Sequence, residues 1–87
     1  MEITVEQIKD TIRGVLSELM EEETVSEISD TDLFAEDMGI GSMTIVQIFV
    51  TCQDTYNVDL SNEMLLGEPM SIQSLAETVF SRISKKG

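Results

Sequence analysis

The chain has 87 residues, 17 acidic and five basic, giving a net charge of −12 with no histidine and a single cysteine. Without histidine there is no Ser-His catalytic pair and no His-containing metal site within the chain, and with Cys52 alone there is no internal disulfide or CxxC framework. The charge repels nucleic acid and anionic membranes and favours proteins with basic patches, and a chain this short buries only roughly 60 to 65% of its unfolded surface, so a single small domain is expected rather than an enzyme with an enclosed site.

The opening Met1-Glu2-Ile3-Thr4-Val5-Glu6 is acidic and lacks the basic start and apolar stretch of a signal peptide, and no apolar run exceeds three residues. A cytoplasmic protein without membrane insertion is expected. Thr4-Val5-Glu6-Gln7 has the form of a capping box, and Ile3 and Ile8 are spaced for a hydrophobic staple. Val5, Ile8, Ile12, Val15, Leu16 and Leu19 then recur at steps of three and four, which predicts an amphipathic helix to about Met20 despite the cost of Gly14, about 1 kcal/mol relative to alanine.

Residues 21–41 lose the helical period and gain acid: Glu21, Glu22, Glu23, Glu27, Asp30, Asp32, Glu36 and Asp37, with no Lys or Arg among them. The pattern predicts a long connection with Val25, Ile28, Leu33, Phe34 and Ile40 as apolar pins and a brief helical turn near Asp32 to Glu36. Glu21 to Glu23 are expected at a helix C-terminus, where the macrodipole disfavours acid.

Asp37-Met38-Gly39-Ile40-Gly41-Ser42-Met43 then turns through two glycines and delivers Ser42 to the start of a second helix, expected to run to about Tyr56. Ser42 reads first as an ordinary N-cap. Its hydroxyl also falls beside backbone N–H groups that lack intrahelical partners, where a phosphate ester is favoured. Ile45, Ile48, Phe49, Cys52 and Tyr56 form one stripe on this helix and Met43, Val46 and Val50 a second, offset one. A helix at the edge of a small bundle buries about one stripe, so the surplus either closes over a second neighbour, the commoner fate of any single apolar residue, or stays exposed for a partner, which its start next to Ser42 favours. Cys52 lies on the core stripe as a small apolar group.

Asn57, Asp59 and Ser61 mark a break, with Val58 and Leu60 as pins, and Ser61 is placed to cap a short third helix through Glu63-Met64-Leu65-Leu66 to Gly67. After Pro69, Ser71 is placed to cap a last helix whose apolar face is Ile72, Leu75, Ala76, Val79, Phe80 and Ile83, ending near Ser84 before Lys85-Lys86-Gly87. The expected architecture is an all-α four-helix bundle with a long loop after the first helix and a short third helix, one domain over residues 1–87.

This order of elements, with Asp32-Leu33-Phe34 before Asp37-Met38-Gly39-Ile40-Gly41-Ser42-Met43 and Ser71-Ile72-x-x-Leu75-Ala76 opening the final helix, resembles the acyl carrier protein family over essentially the whole chain. The resemblance implies that Ser42 receives 4′-phosphopantetheine from coenzyme A through a phosphopantetheinyl transferase, giving an arm that holds acyl groups as thioesters, with no catalytic residue in the chain. It also implies that the second helix is the docking surface, which places Met43, Val46 and Val50, with Gln47, at partner contacts. Gly41 stands where the family has Asp, Met43 where it has Leu, and the second helix carries only Asp54 as an acid. Docking is therefore expected to combine apolar contact with charge from Glu36, Asp37, Glu63 and Glu68. That pattern suits a monomeric carrier in polyketide or mixed polyketide and nonribosomal peptide biosynthesis, served by an acyltransferase, a ketosynthase or adenylating and ligase enzymes with basic docking patches. Fatty acid synthesis and aminoacyl or peptidyl carriage are the alternatives.

Two readings from other classes compete. A calcium sensor is prompted by Asp30-Thr31-Asp32, but with Asp30 at loop position one, Ala35 falls where glycine is required and Gly41 where a bidentate Glu is required. The other is an unmodified acidic adaptor that uses Met43, Val46 and Val50 only for docking.

Overall fold

A computed structural model describes residues 3–20, 22–66 and 69–86. The described residues form five helices in the order α1 (Val5–Leu19), α2 (Glu22–Glu27), α3 (Ser42–Tyr56), α4 (Ser61–Leu66) and α5 (Ile72–Lys86). Thr4 opens α1 with the expected capping box: its hydroxyl accepts from the Gln7 N–H at 3.2 Å and the Gln7 side-chain oxygen accepts from the Thr4 N–H at 3.0 Å. Ile8, Ile12 and Leu16 are fully buried on the inner face of this helix, each contributing about 1.5–3 kcal/mol by leaving water.

The connection after α1 departs from expectation, because Glu22–Glu27 forms a short additional helix. Only Val25 of that segment is a buried apolar residue, and one anchor in six residues leaves no 3.6-residue repeat to read. The consequence for charge is a correction: Glu23 lies in the first turn of a new helix, where acid is favoured, rather than at the unfavourable end of α1. Glu21 lies outside the described residues.

Arg13 of α1 lashes this segment down. Its guanidinium donates to the carbonyls of Val25 (3.2 Å) and Ile28 (2.9 Å) and to the Asp30 carboxylate (2.6 Å), while Lys9 stands 3.4 Å from the other Asp30 oxygen. The Arg13 guanidinium holds the Asp30 carboxyl below the usual carboxylate range. Farther along, the chain pairs with the start of α5 through an antiparallel bridge between Leu33 and Ser71, with Phe34 N–H donating to Met70 O at 2.9 Å and Gln73 N–H to Asp30 O at 2.8 Å. Phe34 and Ile40 are buried as expected, and the turn between them closes where Asp37 N–H donates to Leu33 O at 3.0 Å.

The core lies where α1, α3 and α5 meet: Ile8, Ile12 and Leu16 face Ile48, Phe49 and Cys52 of α3 and Ile72, Leu75, Ala76 and Val79 of α5. Tyr56 sits at its edge, its hydroxyl 2.6 Å from that of Thr11. Asn57 ends α3 in the left-handed region at φ 53°, a conformation Asn adopts more readily than most residues. Ser61 is the first residue of α4 rather than its cap, held by the Asp59 carboxylate, which accepts from its N–H at 2.9 Å and from its hydroxyl. Ser71 does open α5, exchanging bonds with Ser74: Ser71 N–H to Ser74 Oγ at 2.7 Å and Ser74 N–H to Ser71 Oγ at 3.1 Å. α5 runs two residues past the expected Ser84, and Phe80 lies on its exposed side.

Candidate functional site

The approach to Ser42 is fixed from both sides. Gly39 adopts φ +70°, a conformation that costs glycine little and other residues more, and Ile40 is buried with its N–H donating to Phe34 O at 2.9 Å. Gly41 is then the N-cap of α3, with φ −71° and ψ 159°, and its carbonyl accepts from Ile45 N–H at 3.1 Å. Ser42 is thus the first helical residue and not the cap. Since Gly41 supplies no side-chain acceptor, N–H groups of the first turn of α3 keep their capacity to bind an anion. The Ser42 side chain is exposed, and among the described residues its hydroxyl has no hydrogen-bond partner. An oxygen not used in capping, open to solvent and beside the positive end of a 15-residue helix, is placed to accept a phosphate ester.

From Ser42 the outer face of α3 continues as Met43, Val46 and Val50, exposed to 82%, 45% and 41%. Gln47 lies exposed among them, and no charged residue occurs on this helix before Asp54. The stripe extends further than the sequence suggested. Leu19, expected in the core as the last member of the α1 stripe, is 42% exposed and joins Val15, Glu18, Val46 and Val50 around a shallow groove of about 300 Å³ between α1 and α3. The spacing of Leu19 could not show this, because periodicity gives the face a residue prefers and not how closely a neighbouring helix packs against it.

The acids assigned to docking divide. Glu36 and Asp37 are exposed in the turn before Ser42, and Asp37 also accepts from Leu33 N–H at 2.8 Å, so it shapes the turn it decorates. Glu63 is turned toward the body of the protein: its side chain is 16% exposed, Oε1 pairs with Arg82 of α5, and Oε2 is buried. Glu68 lies outside the described residues.

Beside Ser42 opens a cleft of about 340 Å³ whose walls include Phe34, Ile45, Phe49, Glu63 and Met70. Ile45 and Phe49 were expected only as core; that they also face a cleft depends on how α3, α4 and the 33–36 turn meet. Cys52 is fully buried, which pushes its thiol up to about 11 and leaves it protonated and inert at neutral pH. Among the described residues no group of three or more His, Cys, Asp or Glu is arranged to hold a metal ion, and Asp30, the starting point of the calcium reading, is engaged by Arg13 and Lys9. No helix among the described residues is long and apolar enough to cross a membrane.

A small all-α bundle that presents an uncommitted serine hydroxyl at a helix start, next to an exposed apolar stripe, has the layout of a carrier domain. The family model described as a phosphopantetheine attachment site matches residues 7–79, and the chain belongs to that family, in keeping with its acyl-carrier resemblance. Members carry covalently attached 4′-phosphopantetheine and interact with phosphopantetheinyl transferases and biosynthetic enzymes; the domain itself is a carrier and not a catalyst. No curated protein and no solved structure matches the chain.

Proposed function

We propose that Ser42 is the attachment residue and that the protein presents acyl intermediates, held as thioesters on its 4′-phosphopantetheine arm, to the enzymes of polyketide or mixed polyketide and nonribosomal peptide biosynthesis. The observation that carries the first half is the exposed Ser42 hydroxyl, without a partner among the described residues, at the first position of α3. Tethering makes each meeting of cargo and docked enzyme effectively intramolecular, so effective concentration rather than free diffusion sets the transfer rate. The chain need supply only the tether, the frame and the docking face.

The second half rests on the character of α3. Its exposed stripe is apolar and its first three turns carry no acid, so docking leans on Met43, Val46 and Val50 with Gln47 between them, flanked by Glu36 and Asp37. Partners of this description are an acyltransferase, a ketosynthase or an adenylating enzyme that offers an apolar recess with basic groups at its edge. The protein acts as a monomer in the cytoplasm.

Intact-mass measurement after incubation with a phosphopantetheinyl transferase and coenzyme A tests the attachment. The wild-type chain should gain the mass of one phosphopantetheine group, and Ser42→Ala should gain none while keeping the same melting temperature. No gain with several transferases, or a gain retained in the variant, counts against the assignment and favours an unmodified adaptor. Mass spectrometry of the protein from its native cell identifies the cargo and with it the pathway.

A further inference from the structure

The groove between α1 and α3 lies to one side of the site around Ser42. Val15, Glu18 and Leu19 form one wall and Val46, Val50 and Thr51 the other, whereas Ser42 borders the separate cleft toward Phe34 and Met70. Leu19, Val46 and Val50 all keep much of their surface open to water here. The rim carries one sign of charge. Glu18 stands in the wall, and Asp54, one turn beyond Val50 on α3, is exposed on the same helix face. Neither acid is paired with a base among the described residues, since Lys9 and Arg13 meet Asp30 and Arg82 meets Glu63.

Gly14 adds an independent observation. It lies one turn before Glu18 in the interior of α1, where glycine is less favourable than alanine. Its φ is not positive, it is exposed, and a Cβ there meets nothing within 4 Å. Nothing among the described residues therefore calls for glycine at this position. A second backbone passing close to α1 from outside does call for it, because a bare Cα permits that approach.

These features select the occupant. A second copy of the chain would bring acidic rim against acidic rim with no base to offset them, on a molecule of net charge −12. The recess is shallow and about 300 Å³ in volume, which suits a row of protein side chains better than an enclosed small molecule. An amphipathic helix with apolar residues at steps of three and four and Lys or Arg at its edges matches both the apolar floor and the acidic rim.

We propose that the α1–α3 groove is a second docking surface, taking a basic-edged amphipathic helix of a partner protein. The apolar side chains of that helix enter between Val15, Leu19 and Val50, its backbone passes over Gly14, and its cations meet Glu18 and Asp54. A partner seated there holds the carrier with Ser42 uncovered, because Ser42 is not in the wall of the groove. An interface this small is weak and readily exchanged. Its occupancy does not depend on the attachment at Ser42.

The test uses the full chain, labelled with ¹⁵N, and a synthetic leucine and lysine peptide whose leucines recur at steps of three and four; a peptide of the same composition with scattered leucines is the control. The amphipathic peptide should bind about tenfold more tightly than the control, and its amide shifts should centre on Val15, Glu18, Leu19 and Thr51. Glu18→Lys and Leu19→Ser, both at exposed positions, should each weaken binding about three- to tenfold. Gly14→Ala should raise the melting temperature and still weaken binding. Phe80→Ser, on the exposed side of α5, should leave the affinity unchanged and so separates the groove from general apolar stickiness. Equal binding of the two peptides, shifts confined to the Ser42 end of α3, unchanged affinity in the α1 variants, or an equal loss in Phe80→Ser overturns the proposal. Self-association of the chain through the same residues overturns it too, by putting a second copy in the place of the basic partner. The attachment at Ser42 is read separately, by mass, and stands whichever way the peptide binds.

Discussion

Residues 28–41 and the outer face of α3 meet at Ser42 and are held in opposite ways. The first segment is irregular and acidic, yet it is fastened by Arg13 to the Val25 and Ile28 carbonyls, by backbone pairing of Leu33 and Phe34 with Met70 and Ser71, and by the buried side chains of Phe34 and Ile40. The second is regular helix whose outward side chains, Met43, Val46 and Val50, stay exposed, Met43 most of all. The contrast suits a tether: the point of attachment must be presented in a fixed direction, while the surface beside it must stay open for a succession of partners. Regularity of backbone and firmness of attachment are separate properties, since the first comes from local hydrogen bonds and the second from tertiary contacts.

The sharpest way to break this contrast is to unpin the irregular segment. Phe34→Ala should cost about 3–5 kcal/mol, because a fully enclosed aromatic ring is removed and the cavity collapses only in part; urea unfolding measures it, and a loss under about 1 kcal/mol would show that the backbone ties alone hold the turn. Arg13→Met should cost less, about 1–2 kcal/mol, since the guanidinium is partly exposed and its charge pairing is screened.

That second substitution also has a pH signature. Arg13 holds the folded-state carboxyl of Asp30 below its ordinary value near 4, so the pair stabilises the fold above that pH, and its contribution is lost as pH falls through the lowered folded value. Unfolding midpoints measured from pH 6 downward should therefore fall less steeply in Arg13→Met than in wild type. Parallel curves would mean that the pair contributes nothing to acid stability.

Smaller effects are expected at the helix itself. A Cβ added at Gly41 meets nothing within 4 Å and the backbone there is extended, so Gly41→Asp should be accommodated and should stabilise the protein by about 0.5 kcal/mol through a side-chain cap and the helix dipole, visible as a slightly raised melting temperature. A fall instead would show that the position needs glycine for a reason its geometry does not reveal. Val46→Ser, on the open face, should change stability by less than about 0.5 kcal/mol while raising the transferase KM for the carrier several-fold; an unchanged KM would remove Val46 from that docking surface.

Much of the fold was legible before any coordinates because its signals are local. The capping box at Thr4 and the reciprocal start of α5 at Ser71 are written in side chains that bond within three residues of themselves, and the bounds of α3 from Ser42 to Tyr56 in the glycine before it and the left-handed Asn57 after it. The helix over Glu22–Glu27 was not legible, because one buried valine carries no period. At the site, sequence singled out Ser42 and the surplus stripe, but it placed Ser42 at the cap when Gly41 holds that position, and it counted Leu19 among core residues and Glu63 among surface acids.

Those misplacements share a cause. Hydropathy and charge give the face a residue prefers, and composition with motif order settles what kind of protein this is: small, acidic, helical, with one serine delivered to a helix start. Which side of each helix is covered depends on where its neighbours end. Leu19 is left half open at the rim of a groove between α1 and α3, and Glu63 is drawn inward because Arg82, nineteen residues away in sequence, supplies the charge that lets it be buried. Only the packed arrangement could turn an acid counted for the surface into the inward-turned partner of Arg82.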